Sequence, residues 1–235
     1  MKGLLVRVGA DQSEGGGWWN APVNSITREF AYVSIPETYR IHRQFAKPYS
    51  ATTPFLQKFG AQLPSHLAKL NMHLDPDFSY LTYGDQGERA KQIARLGNGD
   101  LLVFYAGLKD TNSNLRLVYA IIGIYVIEEV VMANKIPNSR WDENAHTRRL
   151  LDSAANDIVV RAKPKVSGRL RSCVPIGEFR NGAYRMTRPL LREWGGLSVR
   201  DGYLQRSARL PELLNPQVFY NWFRAQKPIF VKKNN

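Results

Sequence analysis

Two nearly continuous apolar runs, residues 101–106 and 120–127, flank a short segment that carries Lys109, Asp110, Asn112, Ser113 and Asn114. Apolar side chains at every position, rather than at every second one, mark strands buried on both faces. A connection this short and polar is a hairpin loop, not a helical crossover, so the two strands are antiparallel. A doubly wound parallel fold around that pair is thereby excluded. The second run extends over 118–131, long for a strand, and Gly123 inside it marks a bulge or bend. Further strands are expected at 3–8, 30–35, 100–106, 157–162 and 170–176, where Val, Ile, Tyr and Phe concentrate.

Helix signals lie between and after these runs. Thr52 and Thr53 precede Pro54 in a stretch that Gly60 ends. Residues 85–95 hold good helix formers, and a helix is expected over 142–155. Asn215 and Pro216 read as a cap and first turn, followed by Val218, Phe219, Trp222 and Phe223 at helical spacing, a stripe for docking on a core. Residues 210–214 read as one short turn and 232–235 as a frayed tail. With no repeat and no linker, the expectation is one α+β domain over 1–235. Its sheet is mixed, mostly antiparallel and barrel-like, with flanking helices.

Composition narrows the class. At 43% hydrophobic and 11% aromatic over 235 residues, the chain is no disordered tail. One cysteine, Cys173, is no disulfide framework, and its strand-like setting reads as a buried structural thiol. Residues 1–8 read as a strand rather than a signal peptide, and the apolar stretch 117–127 is too short to span a bilayer. A cytoplasmic location and no membrane partner are therefore expected.

The net charge is +13, unevenly placed. Residues 1–160 hold 17 Lys+Arg against 16 Asp+Glu, whereas residues 161–235 hold 16 against 4. Such asymmetry points to a polyanion held by the last third of the chain.

Four stretches concentrate chemistry. Residues 7–20 leave the first strand with three consecutive glycines and carry Arg7, Asp11, Gln12, Glu14, Trp18, Trp19 and Asn20. Contiguous glycines allow close backbone approach to a phosphate or base, but the string is neither a Walker loop nor a dinucleotide fingerprint. His73, Asp75 and Asp77 alternate ahead of Tyr83 and Asp85, an arrangement open to an acid–base pair or a divalent cation. On a helix, Asp142, Glu143 and His146 fall within one turn, as a general-base dyad, as contributors of metal ligands or as a solvated helix start. Last comes a basic set, Arg161, Lys163, Lys165, Arg169 and Arg171 around a hairpin tip at 166–168, then Arg200, Tyr203, Gln205, Arg206 and Arg209. Arg suits planar phosphate recognition and Tyr suits stacking.

The strings VRVGADQSEGGG, NMHLDPDF, GDLLVFYAGL, RWDENAHTRR and DGYLQRSARL resemble the nucleotide modification associated domain 3 family, over almost the whole chain. The resemblance implies a place in systems that hypermodify bases in phage and bacterial DNA, and it carries over no catalytic residue. The run 99–105 with the strand that follows is similar to PUA-like barrels of the EVE and ASCH kind.

The reading that results is a nucleic-acid-directed protein, with DNA ahead of RNA as partner. The basic set grips the backbone, and a base enters a pocket of Arg7, Gln12, Trp18, Trp19, Asn20, Tyr83 and Asp85. The alternative is an enzyme on a nucleobase or nucleotide, or a metal-dependent nuclease, with His73, Asp75, Asp11, Glu14 and His146 as catalytic groups. No metal ligand set, cofactor or oligomeric state is assigned.

Overall fold

The computed structural model describes residues 1–113, 117–207 and 209–235, so Asn114 of the loop and Ala208 of the basic stretch lie outside the described residues. Twelve strands are described: β1 (Gly3–Arg7), β2 (Pro22–Val23), β3 (Ile35–Pro36), β4 (Met72–His73), β5 (Thr82–Asp85), β6 (Leu101–Asp110), β7 (Leu117–Met132), β8 (Ile158–Ala162), β9 (Gly168–Pro175), β10 (Gly177–Arg180), β11 (Ala183–Met186) and β12 (Phe230–Val231). The α-helices are α1 (Thr53–Gln57), α2 (Ser65–Ala68), α3 (Gly87–Ile93), α4 (Ala145–Arg148), α5 (Arg188–Glu193) and α6 (Pro216–Ala225).

The central hairpin is present. β6 and β7 pair antiparallel from Leu101↔Val126 to Lys109↔Leu117, with a register shift that leaves Ile122 without a partner beside Gly123. Gly123 is needed there because a Cβ would meet the Phe78 ring at 2.5 Å. β1 and β2 both run parallel along β6, end to end, so residues 8–21 form an excursion between two strand segments in one lane. β8 and β9 likewise share the other edge of β7. The stretch 166–168 is thus not a hairpin tip, because β8 and β9 pair with β7 and not with each other. β5 adds to β8 and β12 to β9. The sheet is mixed and mostly antiparallel, in one α+β domain, but it does not close into a barrel among the described residues.

Continuous apolar strands predict two covered faces, and both are found. Val6, Phe104, Ile122 and Tyr125 pack under Tyr32, Leu56, Phe78 and Ile93. Leu5, Val103, Tyr105, Ile121 and Ile124 pack under Trp194, Phe219 and Phe223. Burying each α6 phenylalanine contributes about 1.5–3 kcal/mol. Asn215 does not cap α6, since its Nδ2 donates instead to Gly195 O at 2.8 Å.

Several local expectations yield to tertiary contacts. The helix over 142–155 shrinks to the single turn of α4, because Asn144 ahead of it is extended (φ −149°) and caps through its side chain. Of residues 30–35, only Ile35 lies in a strand, while Phe30 forms an isolated bridge with Val23. In place of a turn at 210–214, Glu212 and Leu213 bridge to Leu4 and Leu197. The tail is tied down rather than frayed. Asn234 accepts from Phe78 N at 2.8 Å, and Asn235 bonds Tyr32 N and O, each at 2.8 Å. Cys173 is buried, as its setting predicts. No helix among the described residues is long and apolar enough to cross a membrane.

Candidate active site

Two short ribbons carry the site. β3 and β4 pair with Ile35 opposite His73, which brings Glu37, just past β3, against the imidazole. β5 and β8 pair with Gly84 opposite Val159, which sets Gly84 beside the loop that holds Asp157. His146 enters from α4, whose start is fixed by reciprocal bonds: His146 N donates to Asn144 Oδ1 at 2.9 Å, and Asn144 N donates to Thr147 Oγ1 at 3.2 Å.

At the centre, His73, Asp75 and His146 are all buried. His73 Nδ1 lies 2.6 Å from Glu37 Oε2, and His146 Nδ1 lies 2.5 Å from Asp157 Oδ2. Both carboxylates also pair with Arg149, which stacks on the Tyr39 ring at 4.0 Å. Asp75 accepts from Gly84 N through both oxygens at 2.9 Å and from Asn144 Nδ2 at 3.1 Å. Its Oδ2 faces His73 Nε2 at 3.8 Å and His146 Nε2 at 3.5 Å. One ligand-type atom from each of these three residues lies within 4.8 Å of the others.

The protonation pattern follows from burial and pairing. Burial works against the Glu37 carboxylate, but its bond to His73 and the charges around it hold it down at about 2. Asp157 is likewise depressed against its burial, chiefly by His146. Burial lowers both imidazoles, His146 to about 4. Burial pushes Asp75 well above the usual carboxylate range. Neutral imidazoles therefore donate Nδ1–H to ionised carboxylates and turn unprotonated Nε2 atoms toward Asp75.

The centre forms the floor of a cavity of about 390 Å³, whose lining includes Arg7, Tyr39, Tyr83, Arg89, Arg149 and Arg206. Tyr83 donates to Asp85 Oδ2 at 2.7 Å, and both line this cavity. Asp11 lies behind the wall. Its Oδ2 accepts from Arg206 at 2.9 and 3.1 Å and pairs with Arg7 at 3.3 Å. Burial opposes ionisation of Asp11, yet Arg206, Ser13 and Arg7 hold its carboxyl below the ordinary range. Gly16 permits this nest, as a Cβ would fall 1.9 Å from Asp11 Oδ1.

The remaining sequence candidates are dispersed. Glu14 is exposed, and Trp18 is 65% exposed while Trp19 packs on the core. Gln12, Asn20 and Gln205 line a neighbouring cleft with Arg7, Asp11 and Arg206. Arg161 pairs with Glu129 and Glu143. Arg169 is buried over the Phe30 ring, and burial drops its guanidinium to about 10. Arg171 shares a separate cleft with Arg169. Lys163 is half-buried, and Lys165, Arg200 and Arg209 are exposed. Tyr203 donates to Gln205 Oε1 at 3.0 Å. The dyad read from 142–146 does not form: Asp142 pairs with Lys47 and Arg148, and His146 takes Asp157 instead. Glu37 and Asp157 lie in no spacing that signals chemistry, and Asn144 and Arg149, though inside the string RWDENAHTRR, take their roles only from the tertiary contacts.

No curated protein and no solved structure matches this chain. A family model described as nucleotide modification associated domain 3 matches residues 2–216 of the 235. The matched span holds every residue of the site, from Arg7 to Arg206, and on that match the chain belongs to the nucleotide modification associated domain 3 family.

Proposed function

We propose that this protein performs a chemical step on a nucleobase or nucleotide within a DNA base-modification system, in the cavity above His73, Asp75 and His146. The observation that carries this reading is the burial of two imidazoles and a carboxylate at the floor of a cavity walled by four arginines. Burying such groups costs stability, and an apolar cluster of equal volume would serve the fold as well or better. Perturbed titratable groups that open onto a cavity are the usual signature of a working site.

Roles follow from position. Arg7, Arg89 and Arg206 on the wall suit phosphate oxygens. Tyr39, 53% exposed and lining the cavity, offers a stacking face. Asp75 and the imidazoles of His73 and His146 are the groups that a substrate meets at the cavity floor. The exposed Lys165, Arg200 and Arg209 extend a backbone-docking surface, and single-stranded or flipped DNA suits a cavity of this size.

The test is a binding and turnover pair. Single-stranded DNA, duplex DNA, RNA and free nucleotides are titrated at low and high salt. Wild-type and His146→Ala proteins are then incubated with bound DNA, and the bases are analysed by mass spectrometry. Salt-sensitive DNA binding by both proteins, with a changed base only from the wild type, is the expected result. Binding without any product from the wild type assigns a reader module instead. No binding at about 50 mM salt overturns the proposal.

A further inference from the structure

We propose that His73 Nε2, His146 Nε2 and Asp75 Oδ2 bind one divalent first-row transition ion of the zinc or iron(II) class, with Glu37 and Asp157 orienting the imidazoles.

The first argument is tautomeric. Contacts of 2.6 and 2.5 Å from Nδ1 to Glu37 and Asp157 need a proton on each Nδ1. Arg149 also approaches these nitrogens, at 3.1 and 3.4 Å, but the shorter carboxylate contacts decide the tautomer. Each Nε2 is then a lone pair. Both face Asp75 Oδ2 at 3.8 and 3.5 Å, beyond good hydrogen-bond length. Two imidazole nitrogens and a carboxyl oxygen thus converge without a hydrogen bond to join them, a spacing that a cation would close.

Ion pairing agrees. Arg149 pairs with Glu37 and Asp157 but not with Asp75, whose ionic partners among the described residues are the two imidazoles alone. A divalent ion would supply the cation that Asp75 lacks.

Ligand chemistry selects the ion. Two imidazoles and one carboxylate suit zinc or non-haem iron, not the all-oxygen spheres of magnesium and calcium. Separations of 3.5 and 3.8 Å compare with about 3.4 Å between ligands of a tetrahedral ion with bonds near 2.1 Å. Three protein ligands on a cavity floor leave a coordination position open toward a substrate, as catalytic sites do. Histidines that donate their second nitrogen to a carboxylate are the recurrent support of such ions. The assignment needs no particular substrate and stands apart from the proposed action on DNA.

The experiment is a direct metal titration. Chelator-stripped wild type receives Zn²⁺, Co²⁺ and, without oxygen, Fe²⁺. The expected result is one equivalent bound after desalting, with a visible Co²⁺ absorption band. Among the four histidines, only the ring signals of His73 and His146 should move. His146→Gln and Asp75→Asn should lose at least 100-fold in affinity, and Glu37→Gln about 10–100-fold. Wild type that retains none of the three ions overturns the assignment, as do shifts confined to His42 and His66. The wild-type spectra decide the question even where a variant fails to fold. DNA binding is read separately in chelator, so failure of either proposal leaves the other standing.

Discussion

Gly84 vacates the space that His146 occupies: a Cβ on Gly84 would lie 2.3 Å from His146 Cδ2 and 2.6 Å from Asn144 Oδ1. The same glycine gives its N–H to both oxygens of Asp75. One backbone position in β5 therefore fixes two members of the buried centre. Gly84→Ala should force His146 and Asn144 outward and destabilise the fold by about 1–3 kcal/mol, the usual range for overpacking. Urea unfolding measures the loss, and the His146 ring signal reports the displacement. An unchanged midpoint and an unmoved ring would refute the packing account.

The pair Asp11 and Arg206 should give the fold part of its acid sensitivity. The Arg206 and Arg7 guanidinium groups hold the folded Asp11 pKa below the ordinary carboxylate range, so its contribution is fully present above that range. It is lost as pH falls through the lower folded value. The melting-temperature gap between wild type and Asp11→Asn should be widest near neutrality and narrow as pH drops below about 4. A gap that widens in acid contradicts the sign.

Cys173 should be chemically silent in the native state. It is buried, and burial pushes its thiol up to about 12, so almost no thiolate exists at pH 7–8. A colorimetric thiol reagent should react within minutes in denaturant and not detectably without it. Prompt labelling of native protein would show an opening of the β9 region.

Among the basic residues, position at the cavity should separate contributors from bystanders. Arg206→Ala removes a cavity arginine and should weaken DNA binding and lower the salt slope by about 1. Arg161 lies outside the cavity lining, on Glu129 and Glu143, so Arg161→Ala should leave both nearly unchanged. Equal effects from the two substitutions would mean that docking follows total charge rather than placement.

Phe219, fully buried against Trp194 at a centroid distance of 4.6 Å, anchors α6. Phe219→Ala should cost about 3–5 kcal/mol. The exposed Val218→Ala on the same helix should cost a few tenths. Thermal melts of the two variants check the contrast.

Some local structure is written in short-range turn chemistry. Asn181 and Gly182 form the two-residue turn between β10 and β11, with φ of 51° and 74°, the signature of a type I′ hairpin. Other features were beyond its reach. Nothing at residue 37 announces that Glu37 will meet His73, 36 positions on, and Arg149, 112 positions on. The spacing of Asp142 to His146 even suggested the wrong acid. A helix would have placed them together, and the Asn144 cap breaks that helix.

The sequence by itself determined the β6–β7 hairpin, the two-faced burial of the sheet, the aromatic dock of α6 and the candidacy of His73, Asp75 and His146. These follow from side-chain periodicity and local turn chemistry, which act over a few residues. Only the tertiary structure decided that the sheet stays open, that Asp157 rather than Asp142 holds His146, and that Arg206 reaches back to Asp11. Those contacts join segments up to 195 positions apart. Which distant groups meet is set by how the ribbons pack on the sheet, and no local spacing encodes that.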